Sequence, residues 1–196
     1  MKKAIFIILD KYSDWESAYL SSQLNQDEDW QVETASNKNY VESIGRLNTK
    51  IDYKIEGIPN NIDLLVLIGG KSWDIKNKAL FNVIKKSFDN GIYIGAICAA
   101  VNYLAQNGFL NNYKHTGNSK YMMEQFEEYK NKDNFIESQA IKDRNLVTAN
   151  GTASLEFTNL VLKMINEDSD ENIDKMTYMY KYGFYEYCEK YGNPYE

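Results

Sequence analysis

The chain has 196 residues, 43% hydrophobic and 26% charged, a soluble globular composition long enough for one domain and incompatible with extended disorder. Its 22 Lys and Arg stand against 28 Asp and Glu, a formal charge of −6. That balance argues against a nucleic-acid or anionic-membrane surface, where clustered cations are needed, and the longest apolar runs, Ala4–Leu9 and Leu64–Ile68, are far too short to span a bilayer.

Lys2–Leu9 is a continuous Ile-rich run and predicts a strand buried on both faces. It stops at Asp10 without a small-residue cleavage site, so it reads as a first strand rather than a signal peptide. Trp15–Leu24 predicts a helix, with Trp15, Ala18, Tyr19 and Ser22 at helical spacing. Gln31–Ala35 alternates as a second strand, and the segment from Tyr40 to Ile58 suggests a hairpin or excursion before the turn Pro59-Asn60-Asn61. Leu64–Ile68 predicts the clearest strand and ends in Gly69-Gly70. Ile75–Asn90 carries a helical apolar stripe closed by Gly91, Ile92–Ala96 is another buried strand, and a small-residue helix runs from Ala99 to Asn107-Gly108. Phe135–Lys142 and Leu146–Ala149 read as strand, turn, strand, and a helix follows Gly151-Thr152-Ala153-Ser154. This alternation is the pattern of an α/β protein with a mostly parallel sheet. Asp168–Asn172 predicts a connection, dividing the chain into a domain at 1–167 and an aromatic-rich helical appendage at 168–196.

In an open parallel sheet, ligands bind beyond the carboxyl ends of the strands. There the sequence delivers Asp14-Trp15-Glu16, Gly69-Gly70, and Gly95-Ala96-Ile97-Cys98-Ala99-Ala100. A nucleophile on a tight strand-to-helix turn needs small neighbours, and the positive end of the following helix favours thiolate. The bland alternative for Cys98 is a small buried hydrophobe at a helix–sheet contact. Gly70 and Ala99 amides are candidate oxyanion donors. Glu16 and Asp14 are acids at a helix start, where caps are commonplace. His115 is the only histidine, so any imidazole base must be this one. Cys188 lies in a Tyr/Glu-flanked setting, no Cys/His spacing supports a metal site, and no cofactor is expected. Both thiols are expected reduced, in the cytoplasm.

Together these segments resemble the ThiJ/PfpI superfamily, the class I glutamine amidotransferase-like fold. The match runs through Asp14-Trp15-Glu16, Ile68-Gly69-Gly70, the Cys98 turn, Lys114-His115-Thr116 and Thr148–Ala153, over roughly residues 2–166. The resemblance implies a flavodoxin-like three-layer sandwich with a nucleophile-elbow cysteine, a homodimer, and Glu16 hydrogen-bonded to Cys98. It also implies a pocket with Asp14, Gly69 and Asn118. Two departures matter. The family's common histidine aligns with Asn118, in a bacterial-branch His-Thr-Ser/Gly-Asn segment, and Ala99 stands where peptidase-like members carry histidine. No histidine follows His115, which argues against a true glutamine amidotransferase.

The leading expectation is a cysteine-nucleophile enzyme, of hydrolase or lyase type, on a small carbonyl or amide substrate. Cys98 attacks, Gly70 and Ala99 hold the oxyanion, and Glu16 or His115 moves the proton. In an extended segment residues 115 and 118 point to opposite faces unless Gly117 introduces a bulge, and His115 is expected near the pocket. The competing expectation is a redox-sensing or stress-response protein working through oxidation of Cys98.

Overall fold

The computed structural model describes residues Met1–Glu196. Its strands are β1 (Lys2–Ile7), β2 (Trp30–Ser36), β3 (Tyr40–Glu42), β4 (Asn48–Lys50), β5 (Tyr53–Lys54), β6 (Leu64–Leu67), β7 (Tyr93–Ile97), β8 (Ala140–Asp143) and β9 (Leu146–Ala149). Its helices are α1 (Asp14–Gln26), α2 (Lys78–Asp89), α3 (Ala99–Gln106), α4 (Lys120–Met123), α5 (Ser154–Met164), α6 (Asp170–Tyr182) and α7 (Phe184–Tyr191).

Seven strands form one sheet in the order β5-β2-β1-β6-β7-β9-β8, parallel except for the antiparallel pair β8–β9. Strands this apolar can be buried on both faces only under helices. In β1 and the residues after it, Ala4, Phe6 and Ile8 enter one core with Leu20, Leu24, Phe157 and Val161. Ile5, Ile7 and Leu9 enter the other with Leu80, Ile84, Val101 and Leu104. Helices α1 and α5 therefore cover one face and α2 and α3 the other, giving the three-layer α/β sandwich. Gly95 in β7 is small for a packing reason, because a Cβ there would stand 2.8 Å from Phe157 Cζ.

Two local expectations need correction. The buried face of α1 is Glu16, Leu20 and Leu24, whereas Trp15, Ala18 and Ser22 are exposed. Residues 16, 20 and 24 recur every four positions and meet the sheet, which an acidic residue on the stripe had concealed. Second, β8 begins only at Ala140. Phe135 makes a lone bridge to His115, and the residues between turn their carbonyls to side chains and loops, as when Ser138 C=O accepts from Thr116 Oγ1 at 2.8 Å. The segment after β2 forms the expected hairpin, β3–β4, as a separate two-stranded sheet.

The C-terminal helices differ from one another. Helix α6 places Ile173 in the core beside α1 and α5, with Lys163 paired to Asp174 at 2.6 Å and Lys181 to Glu156 at 2.8 Å. Helix α7 buries no residue. No helix is long and apolar enough to cross a membrane.

Candidate active site

The chain steps from β1 outward to β2 and then returns to the other side of β1 as β6. Such a reversal opens a crevice at the carboxyl ends of the strands. The loops leaving β1, β6, β7 and β9 are tied together there. Ser13 N–H donates to Gly69 C=O at 3.1 Å, and Cys98 N–H donates to Ala149 C=O at 3.0 Å.

Cys98 sits between β7 and α3 with φ 61° and ψ −127°, a conformation sparsely used by residues with a side chain and costly unless the surroundings impose it. Glycines make the room. A Cβ at Gly69 would lie 2.5 Å from Cys98 Cβ and 2.6 Å from Glu16 Oε2, and one at Gly151 would lie 2.9 Å from Cys98 Sγ and 3.2 Å from Glu16 Oε1. The backbone thus closes on the cysteine–carboxyl pair from two sides.

Glu16 is 0% exposed. Its Oε2 accepts from Gly69 N–H at 2.8 Å, while Oε1 has no conventional hydrogen-bond partner. Cys98 and the Ser13 hydroxyl are the other polar groups beside the carboxyl. Burial raises the Glu16 pKa above the usual carboxylate range, against the opposing pull of Cys98, Gly69 and Ser13. The half-buried Cys98 thiol is also pushed up, first by burial and then by the Glu16 charge, with Asn118 and the Ala99 N–H pulling it down. This net rise runs against the expectation that the positive end of α3 favours thiolate. The Glu16 charge raises the thiol only while Glu16 is ionised, so the two groups titrate as a coupled pair.

Asn118 faces the sulfur, its Nδ2 donating to Cys98 Sγ at 3.2 Å. His115 does not. Its ring is fully buried, with Nδ1 on Tyr113 C=O at 2.8 Å and Nε2 on Tyr129 OH at 2.7 Å, and with the rings of Tyr129 and Phe135 edge-on to it. The sequence reading that brought His115 toward the pocket is corrected by this placement. Burial lowers its pKa, against the pull of the Tyr113 carbonyl. Burial and then the charges of Glu124 and Asp133 push Tyr129 up to about 12. Residues 115 and 118 do point apart, and it is the asparagine that turns to the thiol.

Asp14 also faces elsewhere. It accepts from Gly45 N–H at 2.8 Å. Burial raises its pKa, but bonds from Ser43 and Gly45 outweigh that and bring it below the usual range. It therefore fastens the β3–β4 hairpin to α1. Gly70 pairs with Tyr12 in an isolated bridge whose hydrogen bonds are made by their neighbours, Lys71 N–H to Lys11 C=O and Ser13 N–H to Gly69 C=O. The Gly70 N–H is thereby left uncommitted. Gly70 and Ala99 line one depression of about 340 Å³, and Asn118 lines a separate polar cleft of about 780 Å³. No group of three or more His, Cys, Asp or Glu side chains is placed to hold a metal ion.

A model of the DJ-1/PfpI family matches residues 2–164. The chain belongs to that family. It is 55% identical over 195 residues to a Bacillus subtilis protein named uncharacterized protease YdeA, covering 100% of this chain and 99% of that one. Among solved structures, a thiJ/pfpI family protein from Bacillus anthracis superposes with a TM-score of 0.88 at 30% identity, over 96% of this chain and 94% of that one. The DJ-1 superfamily protein Atu0886 from Agrobacterium tumefaciens follows at 0.84 and 26%, over 92% and 97%.

Two contributors around the thiol were missed in the sequence. Gly151 was read as a helix opening within the matching segment Thr148–Ala153, with no site role, although it abuts both Cys98 and Glu16. Trp15 was read for its helical spacing and its place in Asp14-Trp15-Glu16, with no bond assigned to it, although its Nε1–H donates to Gly151 C=O at 2.9 Å. The exposed side of an amphipathic helix carries no sequence signal that distinguishes a clamp from a solvated residue.

Proposed function

We propose that this protein is a cysteine-nucleophile enzyme acting on a small carbonyl or amide substrate. The observation that carries this reading is the placing of a buried carboxyl, Glu16, beside the Cys98 thiol, with N–H donors from Ala99 and Asn118 on the sulfur. Glu16 takes the thiol proton, and the sulfur electron pair forms a C–S bond with the carbonyl carbon. The C=O π pair moves to oxygen, which Gly70 and Ala99 N–H groups hold. With an aldehyde, return of that proton to the oxygen gives a neutral hemithioacetal. Where the next carbon is a carbonyl, moving the C–H proton to that carbon by way of Glu16 turns the adduct into an α-hydroxy thioester, whose C–S bond water breaks to release the acid and the thiol. With an amide, its delivery to nitrogen lets the C–N bond break, leaving a thioester for water to hydrolyse.

No imidazole reaches the sulfur, so proton handling rests on one carboxyl. The test is turnover of a panel of small aldehydes, α-oxo-aldehydes and primary amides by wild type and Cys98→Ser. Turnover lost in the variant supports the reading. No turnover of any member by protein whose Cys98 is freely alkylated overturns it.

The same donors favour a second reading, oxidation sensing, because they also suit the oxygens of a sulfenic or sulfinic acid, with protonated Glu16 donating to the product. Mild peroxide is the oxidant. Intact-mass analysis showing two oxygens gained at Cys98, in protein that turns over nothing, supports this second reading.

A further inference from the structure

Trp15 is 48% exposed, on the first turn of α1 beside Glu16. Its Nε1–H donates to Gly151 C=O at 2.9 Å. Gly151 N–H donates to Asn118 Oδ1 at 2.8 Å, and Asn118 Nδ2 donates to Cys98 Sγ at 3.2 Å. The three bonds run head to tail from the protein surface to the thiol.

The orientation of the Asn118 amide decides what the sulfur sees. With its oxygen on Gly151 N–H, its NH₂ faces the sulfur, as a donor suited to thiolate. Reversed, it would set NH₂ against N–H and, toward a thiolate, oxygen against sulfur, losing both bonds. Gly151 N–H therefore selects the useful orientation. Gly151 has no side chain with which to anchor itself, since a Cβ would press on Sγ at 2.9 Å. Asn118 also borders the cleft of about 780 Å³, which leaves its amide room to swing away if Gly151 shifts. The Trp15 indole bond is what holds the Gly151 carbonyl, and its helix turn is anchored in turn by Asp14 on Gly45.

We propose that Trp15 is a positioning residue for the reacting thiol, its indole N–H holding the Gly151 backbone so that the Asn118 amide presents its NH₂ to Cys98. The proposal rests on the reading of Cys98 as the reacting group and adds to it a residue that touches neither substrate nor sulfur. Its consequence is that thiolate stabilisation at Cys98 depends on a hydrogen bond made at the surface.

The experiment is the pH profile of iodoacetamide alkylation at Cys98, located by peptide mass, in the full chain. The variants are Trp15→Phe, which keeps an aromatic ring and removes the N–H, Asn118→Ala, and the double variant. Asn118→Ala should move the profile to higher pH. Trp15→Phe should move it the same way, slowing alkylation at pH 7 by about three-fold, the equivalent of half a pKa unit. The double variant should match Asn118→Ala alone, because the path from indole to sulfur is already cut. A Trp15→Phe profile identical to wild type overturns the proposal, as does an undiminished Trp15→Phe effect in the Asn118→Ala background. Failure of the underlying reading is distinct: wild-type Cys98 would then resist alkylation at every pH, and both ideas would fall.

Discussion

Gly69→Ala tests whether the backbone is moulded to the cysteine–carboxyl pair. An added Cβ would meet Cys98 Cβ at 2.5 Å, Glu16 Oε2 at 2.6 Å and Ile97 O at 3.0 Å, where unstrained carbon contacts sit near ~3.5–4.0 Å. Relief therefore needs a shift of about 1 Å, and none of the three neighbours yields easily. Cys98 is held at a positive φ, Ile97 belongs to β7, and Glu16 is buried with its carboxylate on the Gly69 N–H. Overpacking of this kind costs about 1–3 kcal/mol, and the absence of a flexible neighbour places Gly69→Ala toward about 3 kcal/mol. That is less than the ~5–15 kcal/mol typical of a domain, so the protein should still fold. Gly57→Ala is the control. Nothing lies within 4 Å of its added Cβ, so it should be neutral or up to about 1 kcal/mol stabilising through the unfolded chain. Urea unfolding of both variants gives the energies, and iodoacetamide alkylation of Cys98 reports the site. If Gly69→Ala matched Gly57→Ala in stability and kept wild-type alkylation, the packing argument would be refuted.

Glu16→Gln should gain stability relative to wild type as pH rises. The folded Glu16 pKa is raised, so its contribution is fully present below about pH 4.3 and is lost as pH climbs through the folded value, by about 1.4 kcal/mol per unit of elevation. Urea midpoints of the two proteins from pH 4 to 8 check this, and a constant difference across that range rules it out. His115 carries the opposite sign. Its folded pKa is lowered, so stability present above about pH 6.5 should decline as pH falls through the folded value, and His115→Gln should remove that component. Thermal unfolding between pH 7.5 and 5 decides the matter, because the chain holds no other histidine. Alkylation of Cys98 should set in at higher pH than for an ordinary thiol, since burial and then the Glu16 charge outweigh the Asn118 and Ala99 donors. Iodoacetamide rates against pH with peptide mass mapping check this, and a midpoint below the ordinary thiol value contradicts it.

The sequence by itself determined the layered architecture. Short apolar strands can satisfy their backbone only in a sheet and their side chains only under helices, so Lys2–Leu9, Leu64–Ile68 and Ile92–Ala96 announced a parallel sheet from local composition. The small residues around Cys98 were equally legible, because the tight turn from β7 into α3 leaves little space for larger ones. The β8 boundary was less so, since residues 135–139 have strand-like composition but bond to loops and side chains. Only the tertiary structure decided which polar groups meet the thiol. Helix α1 had to be rotated about its axis to put Glu16 inward and Trp15 outward, and that rotation follows from how Leu20 and Leu24 pack on the sheet. His115 and Asn118 lie three positions apart, and both residue types suit an active site. Burial among Tyr113, Tyr129 and Phe135 commits the imidazole to structure, while the loop beginning at Gly151, brought in by β9, turns the asparagine to the sulfur. Local sequence encodes the propensity of a segment; the partner that satisfies a given donor lies on other strands and loops, and only folding brings it there.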